Sequence, residues 1–339
     1  MKKWNVYITR PILDPAIPML SKHCVISLNS KAKPPSRKEI LKEVQNKDAI
    51  LCTLSDKIDA EVIDTAGSSL KVISSYSTGV DHIDVAYATK RGIKVTTTGD
   101  ILTESVADLT FGLILCVSRL ITQGHELVIG KRWKYGWDPN LLLGSDVHGM
   151  TIGILGMGRI GSAVSRRAKG FDMDIIYNGG RSRNIMMEKE VGAKRVNLDG
   201  LLVKSDFLSL HCSLNKESYH LIDNSCLMKM KSSAYLINTA RGQIICEKDL
   251  ISALRKRWIA GVGLDVFEKE PPSSHNPLLR MKNVVQLPHI GSATVLTRRN
   301  MADVAARNLL NVLNMKCAIY SANPEMSDQS RRIGTQIWK

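Results

Sequence analysis

One segment in the middle of the chain constrains the fold more than any other. A short apolar strand, Thr151–Leu155, runs directly into Gly156-x-Gly158-x-x-Gly161, and a helical repeat of apolar residues follows. In this setting Gly156 makes a tight turn, Gly158 lets a pyrophosphate approach the backbone, and Gly161 lets the helix pack on the strand. The phosphates would bind free N–H groups at the helix N-terminus. The segment therefore predicts a dinucleotide-binding βα unit, and the alternative is a glycine-rich turn that binds nothing.

Short apolar strands alternate with helical segments on both sides of this glycine segment. The predicted strands before it are Val6–Ile8, Val25–Ser27, Ala49–Leu54, Val72–Tyr76 and Lys94–Thr96. Those after it are Asp174–Tyr177, Phe207–His211, Tyr235–Asn238, Val262–Asp265 and Val284–Leu287. Such alternation indicates parallel βαβ units, and hence an α/β fold built from doubly wound parallel sheets.

The mid-chain position of the glycine segment predicts two domains, and 339 residues are enough for two cores. We expect one long helix over Ile101–Leu120 and another over Arg298–Asn314, the second returning to the first domain. The predicted boundaries are residues 1–100 with 293–325 for the first domain, 101–292 for the inserted dinucleotide-binding domain, and 326–339 for a C-terminal tail.

Composition and charge narrow the class of protein. The net charge is +15, but aromatic residues make up only 5% and no dense Lys/Arg run accompanies them, which favours a basic surface over nucleic-acid binding. The longest apolar run, around Leu109–Val117, is too short to span a membrane. Seven cysteines without a CxxC pair indicate reduced thiols and a cytoplasmic protein, with no metal site.

The loop after the second strand of the inserted domain bears on the type of dinucleotide. Residues 178–183 read Asn-Gly-Gly-Arg-Ser-Arg, without the acidic residue that typically binds the ribose hydroxyl of NAD. Arg181, Ser182 and Arg183 suit a 2′-phosphate, because guanidinium groups bind phosphate through paired donors. We therefore expect NADPH to be favoured and NADH to be possible; the alternative is a solvated basic loop.

Polar residues follow several of the predicted strands, at the sheet edge where ligands of open parallel sheets bind. In chain order they are Thr78, Gly79, Cys212, Ser213, Thr239, Ala240, Arg241, Asp265, Glu270 and His289. Because parallel strands end at a common edge, distance along the sequence does not prevent these groups from meeting.

Six ordered segments resemble the D-isomer-specific 2-hydroxyacid dehydrogenases, and most closely their glyoxylate/hydroxypyruvate reductase branch. They are Ser77–Asp84, Leu102–Asp108, Gly156–Gly161, Ile237–Gly242, Gly263–Pro271 and Leu287–Thr294. The resemblance implies a Rossmann NAD(P)-binding domain inserted into a flavodoxin-like substrate domain, in a homodimer. It also implies NAD(P)H-dependent reduction of small 2-oxo acids, glyoxylate to glycolate and hydroxypyruvate to D-glycerate.

The same resemblance implies a catalytic trio of Arg241, Glu270 and His289. Arg241 would grip the substrate carboxylate and polarise the neighbouring carbonyl. Protonated His289 would give its proton to the carbonyl oxygen as hydride reaches C2. Glu270 would orient the imidazole and favour its charged form. Glu268 is the rival for this last role, and the family position favours Glu270.

The resemblance assigns binding roles as well. Thr78 and Gly79, with Arg241, would hold the substrate carboxylate, and Asp265 would bond the nicotinamide carboxamide. The residues expected to bind the cofactor are Gly156, Gly158, Arg159, Ile160, Gly161, Gly180, Arg181, Ser182, Arg183, Cys212, Ser213, Thr239, Ala240, Asp265 and Gly291. We interpret His82 and His211 as structural residues or as supports for ligand-binding ones.

Two other functions stay open at this point. The first is the same chemistry on 3-phosphoglycerate, in a dehydrogenase without a regulatory domain, which the basic charge would suit. The second is a dinucleotide-sensing protein similar to the transcriptional co-repressors built on this fold. The short segment after Asn314 argues against the second, although the catalytic trio does not exclude it.

Overall fold

The computed structural model describes residues 3–31, 33–180 and 182–326. The chain divides into two compact units. The first consists of Met1–Leu102 and Ala293–Lys339, and the second of Thr103–Ser292. From residue 327 onward, the predicted C-terminal tail lies outside the described residues, as does Arg181 of the predicted phosphate-binding loop.

The first unit is built around a five-stranded parallel sheet. Its strands are β1 (Trp4–Ile8), β2 (Cys24–Leu28), β3 (Ala49–Cys52), β4 (Val72–Ser75) and β5 (Lys94–Thr96). The helices between them are α1 (Ala16–Ser21), α2 (Arg37–Glu43), α3 (Ala60–Ala66) and α4 (Val85–Lys90). The strand order β2-β1-β3-β4-β5 is the flavodoxin-like order, as predicted.

The second unit holds a seven-stranded parallel sheet. Its strands are β6 (Thr151–Leu155), β7 (Asp174–Asn178), β8 (Lys194–Arg195), β9 (Phe207–Leu210), β10 (Tyr235–Asn238), β11 (Gly261–Leu264) and β12 (Val284–Gln286). Its helices are α5 (Thr103–Ser118), α6 (Ile121–Ile129), α7 (Arg159–Gly170), α8 (Ile185–Val191), α9 (Leu198–Lys204), α10 (Asn224–Lys229) and α11 (Glu247–Arg255). The order β12-β11-β10-β9-β6-β7-β8 is the Rossmann arrangement with one additional edge strand.

The last helix, α12 (Val295–Leu313), belongs to the first unit and completes its core. Its residues Met301, Ala305 and Leu309 pack with Val6 and Ile8 of β1 on one face of the sheet. Tyr7 of the same strand packs into the cluster on the other face, because successive strand residues point to opposite sides. Both faces of each sheet are covered in this way, which confirms the predicted doubly wound fold.

The start of the second unit differs from the single helix predicted over Ile101–Leu120. Helix α5 ends at Ser118, and Leu120 has φ of 54°, a left-handed conformation that interrupts the helical hydrogen bonding. Helix α6 then starts at Ile121, bent by 66° from α5. Within the described residues no single helix is long and apolar enough to cross a membrane, and this bent pair meets the requirement by length and composition only.

Candidate active site

The glycine segment has the geometry that a dinucleotide phosphate requires. Gly156 has φ of 102°, and a Cβ there would lie 2.5 Å from the Cys212 backbone nitrogen. A Cβ on Gly161 would lie 2.2 Å from the Gly156 carbonyl oxygen, so the strand and α7 meet at a distance that only glycine allows. At Gly158, by contrast, no described atom outside its chain neighbours and its own helix lies within 4 Å of a Cβ position. The backbone before α7 therefore faces open space, and the segment fits a bound pyrophosphate.

The residues that follow Gly158 have different surroundings. Arg159 is the first residue of α7 and is exposed, whereas Ile160 packs against one of the two cores of this unit. Ser213 is exposed on the loop after β9, and its carbonyl accepts a hydrogen bond from Ser218. Burial raises the pKa of the neighbouring Cys212 thiol to about 11, so this side chain stays a neutral thiol beside the glycine turn.

The loop after β7 contains a feature that the sequence did not reveal. Gly180 has φ of 78° and Ser182 is exposed. Arg183 forms an ion pair with Glu188, whose other neighbour is the Tyr177 hydroxyl at 2.6 Å. The guanidinium lowers the pKa of the Glu188 carboxyl, so Glu188 is an anion already occupied by two partners.

Arg195, on strand β8, also contacts this loop and was missed by sequence reasoning. Its guanidinium donates to the Gly180 carbonyl oxygen at 3.1 Å. Fifteen residues separate the two, and only the pairing of β7 with β8 brings them together. The sequence signal that could have indicated this contact is the basic residue on β8, the next strand after the loop.

Asp265 holds the loop that carries His289. Its two carboxylate oxygens accept the backbone N–H groups of Ile290 and Gly291 at 2.7 and 2.8 Å, and its main-chain carbonyl accepts that of His289 at 2.8 Å. His289 has φ of 57°, so these three bonds fix a left-handed residue at the end of β12. Burial raises the pKa of Asp265, and the two backbone donors oppose that shift.

His289 and Glu270 form a hydrogen-bonded pair. Nδ1 of His289 lies 2.8 Å from Oε2 of Glu270, and the other Glu270 oxygen accepts the backbone N–H of Phe267 at 3.1 Å. Within the described residues, Nε2 of His289 makes no protein hydrogen bond. The pair lines a mostly apolar cavity of about 360 Å³ together with Pro271, Pro272 and Leu287.

Arg241 lies at the end of β10, on a turn held by its neighbours. The Asn238 amide donates to the Arg241 carbonyl at 2.9 Å and accepts the Ala240 N–H at 3.0 Å. The guanidinium donates to the Ala240 carbonyl at 2.8 Å. Thr239 is buried, and its hydroxyl lies 3.0 Å from that of Thr110 on α5.

The backbone next to Arg241 abuts the segment that carries Glu270. A Cβ on Gly242 would lie 1.8 Å from the carbonyl carbon of Phe267 and 2.3 Å from the Glu268 nitrogen, so no other residue fits here. Glu268, the rival for the role of Glu270, has a partner of its own. Its Oε1 lies 3.0 Å from Nε2 of His220, and its Oε2 accepts the Glu247 N–H at 3.1 Å. Sequence reasoning missed this second histidine–glutamate pair.

Two of the predicted site residues lie in the first unit. Thr78 and Gly79 follow β4, and the Thr78 hydroxyl donates to the Gly99 carbonyl at 2.7 Å. The structure therefore uses the Thr78 side chain to hold its loop. His211, in the second unit, is half-buried beside Ser209, and the desolvation of its ring lowers its pKa to about 3, so it is a neutral ring.

Known proteins are similar to this chain over most of its length. Residues 111–291 match the model of a family described as D-isomer specific 2-hydroxyacid dehydrogenase, NAD binding domain. A glyoxylate reductase of Thermofilum pendens is 48% identical over 314 residues, 92% of each chain.

Two solved structures are similar over nearly the whole chain. A protein from Thermus thermophilus has a TM-score of 0.87 at 40% identity, and the alignment covers 94% of this chain and 99% of that one. An NADPH-dependent glyoxylate/hydroxypyruvate reductase from Sinorhizobium meliloti, in complex with NADP and malonate, has a TM-score of 0.84 at 29% identity. Its alignment covers 96% of this chain and 98% of that one.

Proposed function

The chain belongs to the D-isomer specific 2-hydroxyacid dehydrogenase family, and we propose that within this family it reduces glyoxylate to glycolate and hydroxypyruvate to D-glycerate. It is an NAD(P)-dependent oxidoreductase that acts on small 2-oxo acids. The observation that carries the proposal is the pair of His289 and Glu270 at 2.8 Å, on a loop fixed by Asp265.

Each group has a separate part in the chemistry. The Gly156–Gly161 turn would hold the reduced dinucleotide, which would supply a hydride to C2 of the substrate when bound. Arg241 binds the carboxylate through its paired donors and stabilises negative charge on the reacting carbonyl oxygen. His289 donates a proton from Nε2 to that oxygen, while Glu270 keeps the ring oriented through Nδ1. The product is the 2-hydroxy acid.

The loop of the first unit is assigned to the substrate carboxylate. The backbone N–H groups of Thr78 and Gly79 have no acceptor within the described part of the chain, and they suit a bound anion. Asp265 is assigned to the nicotinamide carboxamide, and its carboxylate oxygens keep further acceptor capacity beyond the two backbone donors.

A panel of glyoxylate, hydroxypyruvate and phosphohydroxypyruvate, each with NADPH and with NADH, tests the activity. We expect the first two to be reduced with the higher kcat/KM, and His289→Ala to lower kcat for both about a thousandfold. A marked preference for the phosphorylated acid would favour a phosphoglycerate dehydrogenase. Tight cofactor binding with negligible turnover on the whole panel would favour a dinucleotide sensor.

We further propose that NADPH is the preferred cofactor. The loop after β7 carries no acidic residue, and the Glu188 carboxylate that contacts it is ion-paired with Arg183. Glu188 is therefore poorly placed to select a ribose hydroxyl, whereas the Arg183 side chain is 65% exposed and open to a phosphate.

Arg183→Ala tests this preference. It should raise KM for NADPH about tenfold and leave KM for NADH within about twofold, because a charge-assisted hydrogen bond to the 2′-phosphate is lost. Arg166→Ala is the matched control, since Arg166 is also ion-paired on the surface of this unit, to Glu190. A wild-type preference for NADH would contradict the proposal.

We propose that the protein is a homodimer. Helix α6 has no buried residue, and it and the following segment expose apolar side chains. These are Ile121, Val128, Ile129, Trp133, Tyr135, Trp137, Leu141, Leu142 and Leu143. A continuous apolar segment of this size is typical of a protein interface, and a second copy is the partner we assign to it.

Sedimentation velocity tests the assembly. The wild type should sediment as a dimer, and the double variant Val128→Asp/Trp137→Ser should shift towards the monomer. Val203→Asp, at a side chain that is 53% exposed elsewhere in the unit, is the control. A monomeric wild type at micromolar concentration would rule the dimer out.

We also propose a cytoplasmic location. All seven cysteines are free thiols, and Cys24, Cys52 and Cys226 are buried in the cores. This pattern favours a reducing compartment. Fractionation of cells that express the tagged full chain would test it.

A further inference from the structure

The loop that follows β4 is held by a chain of hydrogen bonds that starts at His82. The Ser75 hydroxyl lies 3.2 Å from Nε2 of His82 and 2.7 Å from the Ser77 hydroxyl. The Ser77 hydroxyl in turn lies 2.7 Å from the Gly79 carbonyl oxygen. Ser75 and Ser77 are buried, so water does not compete for these contacts.

The chemistry of the last acceptor sets the direction of the whole chain. A carbonyl oxygen has no hydrogen, so Ser77 donates to Gly79. The hydrogen in the 2.7 Å contact between the serines must then come from Ser75. With its only hydrogen used in this way, Ser75 accepts from His82, and Nε2 of His82 carries the proton. The Cys52 thiol, 3.9 Å from Nε2, stays protonated because burial raises its pKa.

The bond to Gly79 also fixes the direction of the next N–H group. In a trans peptide the carbonyl and the following N–H point in opposite directions. The Gly79 carbonyl is turned towards Ser77, so the Val80 N–H is turned away from it. The N–H groups of Thr78, Gly79 and Val80 all lack an acceptor within the described residues.

We propose that His82 is a positioning residue for substrate binding: through Ser75 and Ser77 it sets the orientation of the Gly79–Val80 peptide and so aims the backbone donors that take the substrate carboxylate. This inference rests on the proposed function, in which the Thr78–Gly79 loop binds the carboxylate of a 2-oxo acid. Val80 joins that loop as a further donor.

The backbone around His82 is anchored without the imidazole. The His82 carbonyl accepts the Ile58 N–H at 2.9 Å, and Asp84 donates to the Ile58 carbonyl at 2.9 Å. Ile83 also donates to the Val80 carbonyl at 2.9 Å. Replacement of the ring therefore removes the hydrogen-bond chain while the segment keeps its backbone contacts.

Steady-state kinetics of the full-length protein with glyoxylate and NADPH test the role. His82→Phe keeps a planar ring without a donor and should raise KM for glyoxylate about tenfold, with kcat and the NADPH dissociation constant within about twofold. His82→Gln should recover most of the affinity, because its amide places a donor near the position of Nε2. Ser77→Ala should reproduce the rise in KM, and the double variant His82→Phe/Ser77→Ala should add little to it.

The control is Ser69→Ala, which removes a hydroxyl bonded to the Lys47 carbonyl at 3.1 Å in the same unit. It should leave KM unchanged. Inhibition by oxalate, a dicarboxylate that cannot be reduced, should weaken in parallel with KM in the His82 and Ser77 variants. A wild-type KM in His82→Phe, or equal losses in His82→Phe and His82→Gln, would overturn the proposal.

A second readout does not depend on activity. In protein labelled with 15N-histidine, the His82 ring should show a protonated Nε2 at neutral pH, assigned by its loss in His82→Phe. A bare Nε2 would overturn the hydrogen-bond chain even in an active enzyme. A protonated Nε2 in a protein that reduces no 2-oxo acid would instead contradict the proposed function and leave the chain of bonds intact.

Discussion

The second unit contains two histidine–glutamate pairs with similar geometry. They differ in which nitrogen of the imidazole ring the carboxylate contacts. In each pair one carboxylate oxygen faces a ring nitrogen, at 2.8 Å for His289–Glu270 and 3.0 Å for His220–Glu268. The other oxygen accepts a backbone N–H, that of Phe267 or that of Glu247. Both histidines have positive φ, 57° and 52°, and their side chains are similarly exposed, 24% and 30%.

The difference is which ring nitrogen the carboxylate holds. Glu270 holds Nδ1 of His289 and leaves Nε2, the nitrogen farthest from the backbone, without a protein partner in the described residues. Glu268 holds Nε2 of His220 itself, and that ring stacks on Tyr219 at 4.0 Å. A carboxylate at Nδ1 orients a proton donor, whereas a carboxylate at Nε2 occupies the end of the ring that would reach a substrate. Exposure and distance alone would not separate the two.

The largest expected contrast is between the two histidines. His289→Ala should lower kcat for glyoxylate reduction about a thousandfold, because the proton donor is lost. His220→Ala should lower it less than about tenfold, since no reacting atom is touched. Equal losses in the two variants would refute the distinction drawn here.

The two glutamates provide the next test. Glu270→Gln should lower kcat about a hundredfold, since the amide orients the ring less well and no longer offsets its positive charge. Glu268→Gln is the matched control two residues away and should cost a few-fold at most. The amide oxygen can still accept the Glu247 N–H, and the substitution should change kcat and KM by similar factors. If Glu268→Gln proved the more damaging, Glu268 would take the orienting role.

The sequence was most informative where the determinants are local. Short apolar segments placed the strands of both sheets except β8, which consists only of Lys194 and Arg195 and so carries no apolar signal. The order of strand, glycines and helix predicted the turn at Gly156–Gly161. The interruption at Leu120 was not predicted, because a leucine in a left-handed conformation leaves no mark on an apolar repeat. The predicted fold class, an α/β fold with two doubly wound parallel sheets, is confirmed, because it follows from the order of these local strands and helices.

The candidate site shows where such reasoning stops. Glu268 and Glu270 lie two residues apart. The family resemblance favoured Glu270 as the partner of His289, but no local rule assigns Glu268 to His220. The pairing of Arg183 with Glu188 and the contact of Arg195 with Gly180 likewise depend on how strands and helices pack. Residue type identified the chemistry available at each strand end, but the choice of partners required the three-dimensional structure.

We expect the His220–Glu268 pair to contribute more to the stability of the fold than the His289–Glu270 pair, the reverse of their order in catalysis. The His220–Glu268 pair connects the segment after β9 with the loop after β11, and Glu268 also accepts the Gln243 amide on its main-chain carbonyl at 2.8 Å. His220→Ala should therefore lower Tm by about 3 °C, for a loss of about 1 kcal/mol. His289→Ala should change Tm by less than about 1 °C, since one bond at the margin of a cavity is removed. Thermal unfolding by circular dichroism measures both, and a larger loss in His289→Ala would contradict this view.

The smallest expected effect is the coupling free energy between His220 and Glu268. In a double-mutant cycle of His220→Ala and Glu268→Ala, urea unfolding should give a coupling free energy of about 0.5–1 kcal/mol, because both side chains are partly exposed and solvent screens the contact. The mixed cycle of His220→Ala with Glu270→Ala is the control and should give a coupling near zero, since those two side chains share no hydrogen bond. The two pairs would then be independent in stability although they share the segment Phe267–Glu270. Strong coupling in the mixed cycle would mean that the His220–Glu268 pair sets the geometry of the His289–Glu270 pair. Loss of His220 would then have to lower kcat by more than about tenfold.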